Sequence, residues 1–351
     1  MELTGFIIAI LISFYMLAKV TDAYFIPVLE RISDKYKISS DVAGTTLMAM
    51  GSSAPELFIA LIAVFRPGGH EEIGMGTIVG SALFNILVII GAAALARKAT
   101  LAWQPVVRDV FFYLVSIAIL GVVFHTRTIT VFESVLLLVL YLIYILAVMK
   151  WKKWFPYKDD AVQVERPVSK LNSKKYRIFK KLVTPFDYLI DISYPALPYH
   201  WVLFFISLVW ISLLSWVLVE SAIKISYALQ IPEAIIALTV LAVGTSIPDL
   251  ISSYLVAKDG KGGMAVSNAI GSNIFDVLVG LGLPWFVALV FLQKEVEVVT
   301  QNLFLSVILL FSSVVIVFVL IAIRKWVIRP QTGFILIAIY IAFLLWQISP
   351  W

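Results

Sequence analysis

Two carboxylates in this 351-residue chain stand in the same unusual setting. Glu56 closes the run Gly51-Ser52-Ser53-Ala54-Pro55-Glu56, and Asp249 closes Gly244-Thr245-Ser246-Ile247-Pro248-Asp249. In each run, hydroxyl side chains lie three and four residues before the acid, a spacing that shares one helix face. Each run also carries Gly and Pro four residues apart. Proline removes a backbone donor and clashes with the preceding turn, so both helices are expected to break or kink here and to free carbonyl oxygens. The groups on offer are all oxygens: Glu56, Asp249, Ser52, Ser53, Thr245, Ser246 and main-chain carbonyls. Oxygen-only coordination suits Ca²⁺ and Na⁺ rather than zinc or copper, and the chain has no cysteine.

A second pair of motifs adds to the first. Residues 78–88 read IVGSALFNILV and residues 269–279 read AIGSNIFDVLV. They place Asn85 and Asp276 at matching positions, with Ser81 and Ser272 four residues earlier on the same face. The preceding glycines, Gly80 and Gly271, allow close helix packing. The Asn/Asp difference adds a third carboxylate in one motif only. An uncompensated acid near the middle of a membrane is expensive. No Lys or Arg lies within the motif spans to balance Asp276, which leaves Na⁺, K⁺ or a proton as its partner.

The elements that must position these residues are membrane helices. The chain is 61% hydrophobic and 14% charged, against about 25% charged in a soluble domain. Apolar runs of bilayer-crossing length recur at roughly 3–26, 41–65, 73–96, 105–124, 129–149, 200–228, 232–256, 262–291, 302–323 and 332–350. No segment shows the ten-residue alternation of a membrane barrel. The first run lacks the basic lead-in and small-residue site of a cleavable signal peptide and reads as a retained helix. Trp103, Trp151, Trp154, Trp201 and Trp351 read as interface anchors. His70, His125 and His200 fall near span ends and carry no assigned role.

The motifs repeat across the chain. Residues 44–57, GTTLMAMGSSAPEL, match 237–250, ALTVLAVGTSIPDL, at an offset of 193, and the second motifs match at 191. Each copy lies an odd number of spans, five, from its partner, so equivalent helices run in opposite directions, the inverted-topology repeat usual for secondary transporters. The expected architecture is an all-α membrane protein of ten transmembrane helices in two inverted-topology five-helix repeats. The first repeat is 1–149, a basic cytoplasmic loop is 150–199, and the second repeat is 200–351.

Orientation follows from the basic residues. The long polar segment holds eleven Lys and Arg between Lys150 and Lys181, and short basic loops stay in the cytoplasm. Placing it inside puts Arg31, Lys35, Lys37, Arg97, Lys98, Arg108, Lys258, Lys261, Arg324, Lys325 and Arg329 inside as well. Only Arg66, Arg127, Lys224 and Lys294 fall outside, with Lys19 in the first span. Both termini are then extracellular. The net charge of +5 is explained by topology and contact with anionic lipid, not by nucleic acid.

Each feature has a plainer reading. A single mid-span Gly and Pro is more often a packing kink, a lone buried acid can be a structural hydrogen-bonding group, and intramembrane Ser is usually bonded to its own helix. Repetition of the whole set lifts the functional reading above these.

The motifs GSSAPEL, GTSIPDL, GSALFN and GSNIFD resemble the two α-repeats of the cation/calcium exchanger superfamily, the sodium/calcium exchangers. The resemblance spans essentially the whole membrane part. It implies Ca²⁺ between Glu56 and Asp249, helped by Ser52 and Thr245. It implies sodium sites at Ser53, Ser246, Ser81 and Ser272 and at carbonyls near Ala49 and Ala242. It implies a plasma-membrane antiporter with no cofactor. GTSIPDL followed by GSNIFD is most similar to the potassium-dependent branch, which carries an Asp where Asp276 stands, so K⁺ joins the candidate ions. The central loop is too short for the large regulatory calcium-binding domains of animal sodium/calcium exchangers. Three other readings compete: a proton/calcium exchanger of the same fold, a cation channel, and an intramembrane aspartyl protease. The inverted repeat argues against the channel. The Glu–Asp pairing beside hydroxyls argues against the protease.

Overall fold

The computed structural model describes residues 2–38, 40–156, 174–195, 200–298 and 301–348. Trp351 and much of the basic central segment lie outside them. Long apolar helices dominate: α1 Leu3–Lys35, α4 Glu71–Ala96, α5 Trp103–Thr126, α6 Val131–Trp151, α8 His200–Leu229, α9 Glu233–Lys258, α10 Gly262–Phe291, α11 Leu303–Ile323 and α12 Pro330–Gln347. One further span is a bent pair, α2 Thr46–Ser52 and α3 Ala54–Phe65, meeting at 59°. With the pair as one span, the ten segments coincide with the ten apolar runs. The molecule is all-α.

Two features depart from the sequence reading. The central segment contains a helix, α7 Lys174–Ser193, where a loop was expected. Its last turns dock on α1, where Lys19 pairs with Asp187 at 3.1 Å and also with Asp191, and the Tyr15 hydroxyl donates to Asp187 at 2.8 Å. Burial raises the pKa of Asp191, but hydrogen bonds from Lys19 and Tyr24 outweigh it and hold the carboxyl below its usual value. Arg108 is not a loop residue either. It is fully buried in α5, bonded through Nε to Asp109 at 2.7 Å, and the Tyr144 hydroxyl donates to the same carboxylate at 3.0 Å. A charge this deep is tolerated because it is paired and hydrogen-bonded. Moving Arg108 out of the loops leaves the basic-residue asymmetry intact.

Among the described residues six π-helical turns interrupt the helices, and four of them fall in repeat-related pairs. Gly44–Met48 matches Ala237–Leu241, and Asn85–Ile89 matches Asp276–Leu281. Each pair borders a motif, in keeping with the tendency of π-turns to sit at functional sites. Short connections from the two halves also pair: Ala99–Thr100 (β1) runs antiparallel to Val327–Ile328 (β2), and Thr128 bridges to Glu297.

The two halves interlock at their motif helices. On α4, a Cβ at Gly76 would stand 2.8 Å from the Ala234 carbonyl oxygen. One at Gly80 would stand 2.4 Å from that of Leu238. Only glycine allows two backbones to cross this closely. The repeat-related crossing is looser. Among the described residues nothing lies within 4 Å of a Cβ at Gly271, and the position matching Gly76 is Ser267. The end of α3 is fastened to the second half as well. Arg66 pairs with Glu220 at 2.8 Å, Lys294 donates to the Val64 carbonyl at 2.8 Å, and His70 Nδ1 lies 2.8 Å from Glu233 Oε2.

Candidate functional site

The first carboxylate is placed by a real break. Ser53 leaves the helical region at φ −93°, ψ 5° and serves as N-cap of α3. Pro55 then falls in the first turn, where a missing N–H costs nothing. Glu56 sits in the same turn, at the positive end of the helix dipole. The second carboxylate is placed differently. The helix runs without interruption over Ala242–Lys258 with Pro248 inside it, so the expected break is absent on that side. Proline still lacks the N–H that would reach the Gly244 carbonyl. The Phe14 ring lies against Gly244, with its Cζ 2.0 Å from where a Cβ would stand.

These segments converge. Ser81 Oγ and Ser246 Oγ are 2.9 Å apart, and Ser52 Oγ and Ser272 Oγ are 3.2 Å apart. Ser53 Oγ donates to the Ser272 carbonyl at 3.5 Å. Each contact joins one repeat to the other. Thr245 and Ser81 face the Glu56 carboxylate. Ser53 stands beside Asp276, within electrostatic range of both Glu56 and Asp249. Every predicted side-chain ligand except Asp249 is buried, and Asp249 is partly buried.

Several of these oxygens lack donors. Glu56 Oε2, Asn85 Oδ1 and both oxygens of Asp276 are buried and accept no hydrogen bond. Buried polar atoms are normally satisfied, and an unpaired buried carboxylate is especially costly. Acceptor-only oxygens gathered at one place suit a cation. Among the described residues no three His, Asp or Glu side chains form a metal cluster on their own. The hydroxyls and carbonyls are therefore needed to complete a coordination shell, as a hard cation of six to eight ligands requires. The Ala49 carbonyl already accepts the Ser53 amide at 3.0 Å and Ser52 Oγ at 3.3 Å, and the Ala242 carbonyl accepts Thr245 Oγ1 at 3.4 Å. Their second lone pairs become available when the hydroxyls turn.

Sequence reasoning missed two residues here. Asn273 matches Ala82 in the first repeat and was not among the expected ligands. Tyr113 lies on α5, outside any motif. The side chain of Asn273 donates to both the Tyr113 hydroxyl and the Ala82 carbonyl. Only its place inside GSNIFD could have drawn attention to Asn273; no signal marked Tyr113.

A sequence profile described as sodium/calcium exchanger protein matches residues 6–150 and 199–349. The chain belongs to the sodium/calcium exchanger family. The two matched stretches leave out the central segment, so the family relation rests on both halves of the membrane part. Among curated members of the family, the human sodium/potassium/calcium exchanger 5 is 33% identical, the match covering 96% of this chain and 82% of that protein. The human sodium/potassium/calcium exchanger 2 is 29% identical over 96% of this chain and 77% of its own length. A solved structure of the sodium-calcium exchanger NCX_Mj, soaked with Na⁺ and Sr²⁺, superposes with a TM-score of 0.60 at 23% identity and covers 97% of this chain. That likeness establishes the shared helical inverted-repeat fold.

Proposed function

We propose that the protein is a secondary antiporter that exchanges Na⁺ for Ca²⁺ by alternating access, with Glu56 and Asp249 as the charged ligands of Ca²⁺. The observation that carries this reading is the gathering of buried oxygens without donors, Glu56 Oε2, Asn85 Oδ1 and the Asp276 carboxylate, at the meeting point of four repeat-related segments. Ser52 and Thr245 complete the Ca²⁺ site. Ser53, Ser246, Ser81, Ser272 and the carbonyls of Ala49 and Ala242 supply Na⁺ ligands. Asn85 and Asp276 take a monovalent cation. The names of the curated relatives support K⁺ as a co-transported ion at Asp276.

The unequal helix crossings support alternation. With the basic segments inside, Gly76 and Gly80 lie in the extracellular half of α4. The tight crossing then seals the extracellular side, and the looser one at Gly271 faces the cytoplasm. An inverted repeat reaches its opposite state by exchanging the two packings.

The deciding experiment is Ca²⁺ flux into proteoliposomes with Na⁺, K⁺ and H⁺ gradients imposed one at a time. Uptake driven by an outward Na⁺ gradient is expected. Uptake driven by a pH gradient alone would establish the proton/calcium reading instead, and conduction without a counter-ion would establish a channel. Orientation is tested by labelling single cysteines introduced at positions 160 and 297: extracellular reagent should reach 297 and not 160. The opposite result inverts the topology.

A further inference from the structure

Two side-chain amides, Asn85 and Asn273, meet across the repeats in an arrangement with only one consistent orientation. Asn273 Nδ2 lies 3.1 Å from the Ala82 carbonyl oxygen and 3.1 Å from the Tyr113 hydroxyl. A backbone carbonyl only accepts, so the NH₂ end of Asn273 must face it. Asn273 Oδ1 then faces Asn85, which can answer only by donating from Nδ2, and does so at 2.8 Å. Asn85 has no freedom left. Its Oδ1 points away from Asn273 and is buried without a donor. All three residues are at most 2% exposed, so water does not compete for these bonds. A fixed main-chain oxygen at Ala82 thus sets, through Asn273 on α10, the direction of a side-chain oxygen three residues further along its own helix. The device exists once, because the position matching Asn273 in the first repeat is Ala82 itself.

We infer that Asn273 is a positioning residue that holds Asn85 Oδ1 toward the ion site as a fixed neutral ligand for a monovalent cation, and that Tyr113 secures Asn273 in that role. The inference rests on the cation-exchange reading of the site. A neutral carbonyl oxygen adds coordination without charge, which favours a monovalent ion beside Asp276 more than it favours a divalent ion already held by Glu56 and Asp249. Without Asn273 the Asn85 amide can turn. It then presents its NH₂ group to the cation for part of the time, which repels rather than binds.

The test is cation binding to the purified full chain, read as the rise in melting temperature on titration with NaCl, KCl or CaCl₂ at constant ionic strength in choline chloride. Asn273→Leu should raise the Na⁺ or K⁺ concentration for half-maximal stabilisation about tenfold, while that for Ca²⁺ moves less than about twofold. Asn85→Leu should do the same. The double variant should be no weaker than Asn85→Leu alone, because a residue acting through another is not additive with it. Tyr113→Phe should give a shift of about two- to threefold in the same direction, since Ala82 still holds Asn273. Equal weakening for Na⁺, K⁺ and Ca²⁺ would mean a merely structural role and overturn the inference. So would additive effects in the double variant, or a wild-type chain that no monovalent cation stabilises. If Asn273→Leu does not fold, Tyr113→Phe decides, and unchanged monovalent half-saturation overturns it. Failure of Na⁺-driven Ca²⁺ flux in the wild type would instead defeat the transport reading and leave these binding shifts interpretable.

Discussion

In the first half Glu56 follows a break at Ser53 and a 59° bend, whereas in the second Asp249 rides a continuous helix through Pro248. Glu56 is buried at the start of a new helix, and Asp249 is partly exposed in the middle of an old one. On one side the motif helices cross with backbones touching at Gly80. On the other, nothing described approaches Gly271. The same residue types at matching positions therefore occupy two different packings. A perfectly symmetric site would face both sides of the membrane alike. In the proposed antiporter, the difference between the halves gives a single conformation a closed side and a loosened side.

The largest expected effect tests whether both halves hold the divalent ion. Glu56→Gln and Asp249→Asn should each lower Ca²⁺ transport in proteoliposomes by more than about 100-fold without preventing folding, since a charged ligand of a divalent ion is lost. If one variant transports normally, the two acids do not share a role. Next is the pair of glycines. Gly80→Ala forces a methyl group into the Leu238 carbonyl and should destabilise the protein by about 1–3 kcal/mol, read by thermal unfolding, with exchange strongly reduced. Gly271→Ala should stay within about 0.5 kcal/mol. Similar losses for both would erase the distinction between the crossings. Asp276→Asn should remove a requirement for K⁺ while sparing Na⁺-driven exchange. Full wild-type exchange in K⁺-free medium would exclude K⁺ and leave the sodium/calcium reading intact. The smallest effect separates the prolines. Pro55→Ala, at a first-turn position, should change stability by less than about 1 kcal/mol. Pro248→Ala restores a donor to the Gly244 carbonyl, so it should stiffen α9 and weaken Ca²⁺ binding about threefold, measured by titration.

The spans were legible because bilayer thickness and apolar length leave little choice. The repeat was legible because acid, hydroxyls, Gly and Pro recur together. The missing break at Pro248 was not, since a lone proline can be absorbed where neighbours satisfy the freed carbonyl. Helix α7 was hidden by its charge. Arg108 looked like loop chemistry because its partners, Asp109 and Tyr144, lie one residue and one helix away, and pairing across helices leaves no trace in spacing. Asn273 and Tyr113 were invisible for the same reason.

The paired π-turns carry a consequence for how such a chain tolerates change. A π-turn is a helix that has absorbed one residue locally, whereas one residue added to a regular α-helix turns everything beyond it by about 100°. In the first motifs the turns come before the candidate ligands, at Gly44–Met48 and Ala237–Leu241; in the second they begin at the candidate ligand itself, at Asn85 and Asp276. The stretches that bear the candidate ligands thereby keep their angular phase with the outer halves that anchor them in the bundle, the extra residue being taken up within the turn. A single deletion inside one of these turns would close it to a regular α-turn and leave the candidate ligand face in phase with its anchor, whereas the same deletion in an uninterrupted stretch of the helix would rotate one against the other by about 100°, a difference that no hydropathy profile would register.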